Sequence, residues 1–336
     1  MFLNLLKVSS SPHIRQRDTT RSIMTDVVIA LCPALFWSIY VFGWRSLTLT
    51  ILAVGSAVGF EYLFQYITKR TITAGDMSAV VTGMLIAFNM PVTAPLWLPV
   101  IGSAFAIIIV KQLFGGIGKN IVNPALAARV FLLSWSNIMM AFVQPMTSIS
   151  PISVTVSSET IDVISTATPL ATLKTGMLDQ SLLLEKFYGF IPGCIGEISV
   201  LMLLLGFIYL LIRKVITPHI TMSFILTLAG FTFLYGYLTG NASPFEYMLH
   251  HLLSGGLFLG AIFMATDYTT SPFSPSGKII FGIGCGLLTA LIRIFGGYPE
   301  GVSFAILIMN SFIWYLDKWT RPRVFGGNPE KAEKKG

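Results

Sequence analysis

The sequence predicts an all-α membrane protein of about ten transmembrane helices arranged as two inverted five-helix repeats. Three observations lead there. The chain is 54% hydrophobic and only 11% charged, with a mean hydropathy of +0.75, whereas a soluble domain carries about 25% charged residues. Apolar stretches close to the roughly 20 residues that cross a hydrocarbon core recur along all 336 residues. Finally, one fixed offset relates Phe114-Gly115-Gly116 to Phe295-Gly296-Gly297, Pro91 to Pro272 and Gly75 to Gly256. Each half then holds an odd number of spans, so the second half enters the membrane from the opposite face, as in transporters built on inverted repeats.

Taken in order, residues 1–23 form an N-terminal segment. Its apolar run, Met1 to Leu6, is short, and Arg15, Arg17 and Arg21 follow rather than precede it. That order does not suit a cleavable signal, so the first helix is expected to stay as an anchor. The first repeat, 24–143, has spans predicted at 24–43, 47–67, 75–90, 96–114 and 122–143. The second, 190–317, has them at 190–212, 219–239, 247–266, 278–296 and 302–317. The third and tenth are short and bounded by Gly or Pro, which suits tilted or broken helices. Between the repeats, 144–189 is a long loop rich in Ser, Thr and Pro, and 318–336 is a basic tail.

Basic residues set the orientation. With the N-terminus in the cytoplasm, Lys69, Arg70, Lys111, Lys119, Arg213, Lys214, Lys278 and the basic residues of both terminal segments fall inside, and only Arg45, Lys174 and Lys186 fall outside. Positive residues mark cytoplasmic loops, so both termini are expected inside and the 144–189 loop outside. The formal charge of +7 reflects these loops, not nucleic-acid binding. Cys32, Cys194 and Cys285 have no metal-ligand spacing and read as small packing residues. His13, His219, His250 and His251 do not pair at a matching depth, which disfavours a bis-histidine haem.

Two polar strings stand out. Ser165-Thr166-Ala167-Thr168-Pro169-Leu170 lies in the long loop and is either a solvated linker or an attachment point. Gly115-Gly116-Ile117-Gly118-Lys119-Asn120-Ile121-Val122-Asn123-Pro124-Ala125 joins the fourth and fifth spans on the cytoplasmic side. Its glycines permit close backbone approach, and Asn123 before Pro124 suits a helix cap. Asn120 and Asn123 alternatively offer amide groups to a heterocycle. The phosphate-loop spacing is absent. Ionisable residues in or near spans, among them Glu61 and Glu197, mark interior or cavity positions. Asp76 and Asp267 are expected to line one inward-facing cation cavity, and Arg129 to neutralise either acid or an anionic flavin. Glu246 and Arg293 lie near span ends, where snorkelling suffices. The glycines Gly255, Gly256, Gly260, Gly282, Gly284 and Gly286 fit either close helix packing or thin walls around a flat ring.

In combination these motifs resemble a known family. Ser165 to Ala171 is similar to the flavinylation string of the D subunit of Rnf complexes and of the B subunit of sodium-pumping NADH:quinone reductase. Gly115 to Ala125 resembles the family's Gly-Gly-x-Gly-x-Asn-x-x-Asn-Pro-Ala segment, and Phe263-Met264-Ala265-Thr266-Asp267 resembles its motif in the second half. The likeness runs from Pro12 to Leu316. The chain lacks the longer N-terminal extension of the quinone-reductase subunit, so the Rnf D subunit fits better.

The resemblance implies FMN joined to Thr168 by a phosphodiester, placed there by a separate flavin transferase. Ser165 belongs to the same string, and Thr166 is a competing hydroxyl. It implies a second, non-covalent flavin, riboflavin, in some members, with Asn120, Asn123 and Asp267 as candidates for its surroundings. It also implies other Rnf subunits as partners, because this chain has neither an NAD fingerprint nor ferredoxin-type cysteines. No catalytic residue and no metal site are expected in the chain itself. The expected role is a flavin-carrying subunit, in a prokaryotic cytoplasmic membrane, of a complex that couples ferredoxin:NAD⁺ electron transfer to Na⁺ or H⁺ translocation. The rivals are the quinone-reductase subunit and a ten-helix channel or transporter with no redox role, since fold alone does not settle function.

Overall fold

The computed structural model describes residues 19–143, 170, 173, 183–240, 243–297 and 300–321, and among these every regular element is helical. Helix α1 (Thr20–Phe42) starts at Thr19, whose hydroxyl accepts from Ser22 N–H at 3.2 Å. A single residue, Gly43, separates it from α2 (Trp44–Ile67). Helix α3 (Ser78–Phe88) follows, then α4, which runs as α-helix over Trp97–Ala104 and as π-helix over Phe105–Gln112. Helix α5 (Pro124–Leu132) completes the first half and is prolonged by a 3₁₀ turn, Leu133–Trp135, and a short turn of helix, Ser136–Met139.

The second half opens with α6 (Leu183–Tyr188) and α7 (Val200–Ile212). Helices α8 (Pro218–Leu238) and α9 (Pro244–Leu253) follow. Helix α10 comprises Leu257–Leu259 and a π-helical end, Gly260–Met264. Helix α11 (Pro275–Phe295) is long; α12 (Val302–Ser311) and α13 (Ile313–Trp319) are short.

A helix lies within each of the ten predicted spans, but the helices are not ten equals. Four (α1, α2, α8 and α11) are long and apolar enough to cross a membrane, and α9 with α10 makes a fifth only as one span bent by 60°. Helix α3 has 11 residues, about 16 Å, roughly half the thickness of a hydrocarbon core. The predicted spans at 75–90, 122–143 and 302–317 therefore correspond to shorter or interrupted helices. Only the latter part of the 190–212 span is helical.

The reason is visible at the helix ends. Residues 190–199 are an irregular segment buried in the protein, with Ile195 and Ile198 in the main core. Its backbone closes the end of α3: Gly196 N–H donates to the Phe88 carbonyl at 3.0 Å and Ile195 N–H to that of Met90 at 2.9 Å. A Cβ at Gly196 would overlap the Phe88 ring. Irregular backbone at membrane depth is tolerated where protein satisfies its polar groups, and hydropathy cannot tell such a segment from a helix.

Close packing accounts for the later glycines. Gly282 and Gly286 lie against α8, Gly284 against Met309, and Gly260 against Val302. The two halves meet where α1 packs on α7, with Gly206 against the Ala30 carbonyl, and where α5 packs on α12. On the side that carries Arg21, Arg70 and Arg213, termed the basic face below, Asp26 accepts from Tyr209 (2.8 Å) and from Arg213 (3.1 Å). The Gly43 turn lies at the other end of α1, on the opposite face, where Arg45 donates to the carbonyls of Val92 and Ala94 at 2.8 and 3.0 Å.

Candidate functional site

A cleft opens on the basic face between α1, α3, the end of α4, the start of α5 and the end of α10. It holds about 750 Å³ of atom-free space with its open mouth included, of which only about 80 Å³ is enclosed. Its walls are largely apolar, with Leu85, Ile117 and Phe263 among them, and its polar groups are Ser78, Thr82, Lys111, Asn120, Asn123, Thr266, Asp267 and Thr269. The loop from α4 to α5 reaches the cleft through Gly115, Gly116 and Gly118, all at positive φ (114°, 91° and 86°), a conformation for which glycine carries no steric cost.

The two asparagines play different parts. Asn123 is a helix cap: its Oδ1 accepts from Ala125 N–H (3.0 Å) and Leu126 N–H (3.3 Å), and its amide donates to the Met264 carbonyl at 3.2 Å. Asn310 of α12 joins this node when its amide is oriented to donate to the Thr270 carbonyl (2.9 Å) and to accept from Asn123 N–H (3.1 Å). Asn120 keeps a buried Oδ1 with no hydrogen-bond partner. Buried polar atoms are normally paired, so Asn120 holds the cleft's spare acceptor.

Asp267 lines the cleft as expected, in a turn where its carboxylate accepts from Thr269 Oγ1 (3.1 Å) and Thr270 Oγ1 (3.3 Å). Asp76 is not among the lining residues. Its Oδ1 accepts from Ser78 N–H (2.9 Å) and Ser78 Oγ (2.5 Å), which caps α3. The expectation of one cavity shared by Asp76 and Asp267 is therefore corrected. A buried ion pair at this face is formed instead by Glu61 and Lys111. Lys111 Nζ lies 2.8 Å from Glu61 Oε1 and donates to Ser78 Oγ at 2.6 Å. Gln112 Nε2 donates to Glu61 Oε1 at 2.8 Å. The π-helical end of α4 turns both Lys111 and Gln112 inward, 2% and 1% exposed. A carboxylate in the apolar second span was the sequence signal; its partner, placed beside a loop, carried none.

The acid pairing expected of Arg129 is a second correction: the residue meets neither Asp76 nor Asp267. Its guanidinium donates to Asn89 Oδ1 and pairs with Glu300, with Cys194 Sγ 4.0 Å away. Arg293 is a third. It is buried and donates to the carbonyls of His251 (2.5 Å), Ser254 (3.0 Å) and Gly255 (2.6 Å), holding open the break between α9 and α10. Ser165, Thr166 and Thr168 lie outside the described residues.

Fold and site together define a polytopic helical membrane protein whose interior is crossed by broken helices, with a mixed polar and apolar cleft on one face. A profile of the NQR2, RnfD, RnfE family matches residues 7–326, and the chain belongs to that family. It is 47% identical to the D subunit of the Na(+)-translocating ferredoxin:NAD(+) oxidoreductase complex of Acetobacterium woodii, over 98% of each chain. It is 39% identical to the proton-translocating counterpart of Clostridium ljungdahlii, over 96% of this chain and 97% of that one. Identity to the D subunit of the ion-translocating oxidoreductase complex of Stutzerimonas stutzeri is 38%, over 93% and 94%.

Proposed function

We propose that this chain is the flavin-carrying D subunit of an Rnf-type complex that couples ferredoxin:NAD⁺ electron transfer to Na⁺ or H⁺ translocation, assembled with the other subunits of that complex in a prokaryotic cytoplasmic membrane. The observation that carries this reading is near-full-length similarity to subunits of that name, together with an intact Ser165–Leu170 string. FMN is assigned to Thr168 by that string. Leu170, two positions on, is buried beside Gly255.

The cleft suits a second flavin. Unpaired Asn120 Oδ1 is an acceptor for a ring N–H, and Leu85, Ile117 and Phe263 supply apolar wall. A bound isoalloxazine would supply the redox chemistry, and the protein its placement and electrostatics. Asp267, on the same wall, is the assigned ion-path residue; Asp76 acts through the cap on α3.

The two-repeat reading is supported by the order of the helices. The order α1, α2, α3, α4, α5 of the first half is matched in the second by α7, α8, α10, α11, α12, with α6 and α9 as additional short helices. Both short third helices start from a residue with left-handed backbone, Met77 (φ 67°) and Gly256 (φ 56°). On this reading both termini share one side and the 144–189 loop lies on the other, and the basic residues of the terminal segments favour the cytoplasm for the termini.

Denatured protein from the native host is expected to keep flavin fluorescence in a gel, with an intact mass raised by one FMN less one water. Thr168→Ala is expected to abolish both. Asn120→Ala is expected to release only extractable flavin. Unmodified Thr168 in protein from the intact complex would overturn the covalent assignment.

A further inference from the structure

We infer that Glu197, with Glu300 beside it, forms a binding station for a small hard monovalent cation at the buried ends of α3 and α10 that lie away from the cleft. The station deepens the ion-transport reading and is independent of the flavin assignments. Glu197 lies in the buried segment before α7 and is only 9% exposed. Its Oε1 accepts from Cys194 N–H at 3.1 Å, and its Oε2 has no hydrogen-bond partner. A carboxylate this deep with one bare oxygen is strongly disfavoured unless something positive occupies it.

Neither nearby arginine serves. Arg129 is committed to Glu300 and Asn89, and Arg293 to three backbone carbonyls. Among the described residues, Glu197 forms no ion pair.

The surroundings are built for a small guest. A carboxylate oxygen of Glu197, one of Glu300 and Cys194 Sγ all lie within 4.8 Å of one another. A narrow crevice, with about 10 Å³ enclosed, runs to the two carboxylates past Pro192, Gly193 and Gly255, which is room for one small ion. At Gly256 a Cβ would stand 2.6 Å from Glu197 Oε2. The residue there is glycine at φ +56°, so the carboxylate lies directly at the start of α10. Arg129 pairs directly with Glu300, and Arg293 at the same break meets only carbonyls, so neither guanidinium lies against the bare Oε2 of Glu197. Arg129 then holds Glu300 in place and keeps the station from retaining its guest too tightly.

The test uses the full-length chain in detergent at constant ionic strength, choline replacing Na⁺, with thermal melting and peptide-resolved N-ethylmaleimide labelling of Cys194 as readouts. If Na⁺ is the guest, it raises Tm, and at ten times its Kd it slows labelling through local opening about tenfold. Glu197→Gln abolishes both effects, and Glu197→Asp retains them at higher Na⁺. A wild-type Tm and labelling rate that Na⁺ leaves unchanged overturn the proposal, as do identical Na⁺ responses in wild type and Glu197→Gln. So does protection of Cys194 by Cd²⁺ or Zn²⁺ alone, which would mark a thiophilic metal site. If Glu197→Gln does not fold, Glu197→Asp decides: an unshifted Na⁺ response in that variant overturns the proposal. Neither readout needs flavin or electron transfer, so failure here leaves the redox reading standing, and the converse.

Discussion

At the residue scale, the governing rule is that a charge inside the bilayer fold needs a partner, and the partner comes from far along the chain. Glu61 on α2 finds Lys111 at the end of α4, both at most 2% exposed. Replacing one member of such a pair strands the other. Lys111→Met is therefore expected to cost about 3–5 kcal/mol, while adding Glu61→Met to it should recover most of that loss. Thermal melting of the two single variants and the double variant measures this, and additive effects in the cycle would show that the pair is not a unit. The sequence flagged Glu61, Arg129 and Glu197 as ionisable residues in or near spans, and read Arg293 as a residue at a span end. It did not supply their partners, because a partner several helices away leaves no periodic trace. Asn123 is the opposite case. Its capping role was legible because Asn before Pro at a helix start is a local pattern, and local patterns survive in sequence.

At the element scale, short helices with buried ends separate this fold from a simple bundle. Helix α3 approaches α2 so closely that a Cβ at Gly83 would stand 2.7 Å from Val54 Cα, whereas Gly59 on α2 has nothing within 4 Å. Gly83→Ala is expected to prise α2 from α3 and destabilise by about 1–3 kcal/mol, the usual scale of overpacking. Because α3 forms one wall of the cleft, flavin retention should fall as well. Gly59→Ala should match wild type in both. A Gly83→Ala protein that melts with wild type would argue against the close crossing. The sequence marked the third and tenth spans as short from their flanking Gly and Pro. It read 190–199 as helix because that stretch is apolar, and only the contacts with Phe88 and Met90 reveal it as the cover of a helix end.

At the scale of the whole molecule, the assignments stand on charge asymmetry and an odd number of crossings per half. Single cysteines placed in a cysteine-free background should divide accordingly. Lys214→Cys is expected to react with an impermeant maleimide only from the cytoplasmic side, and Lys174→Cys only from outside. Labelling of Lys174→Cys in inside-out vesicles, without permeabilisation, would reverse the orientation and with it the placement of the Thr168 string.

By itself the sequence determined the class of protein, its all-helical membrane character and the family motifs. Those properties are written in composition, in runs of fixed length and in neighbouring residues, all of which are local. Tertiary structure alone decided which helices stop midway, which asparagine keeps an unpaired oxygen, and which acids gather around Arg129. Each depends on satisfying buried polar groups and charges with atoms distant in the chain, and such pairings exist only once the chain has folded.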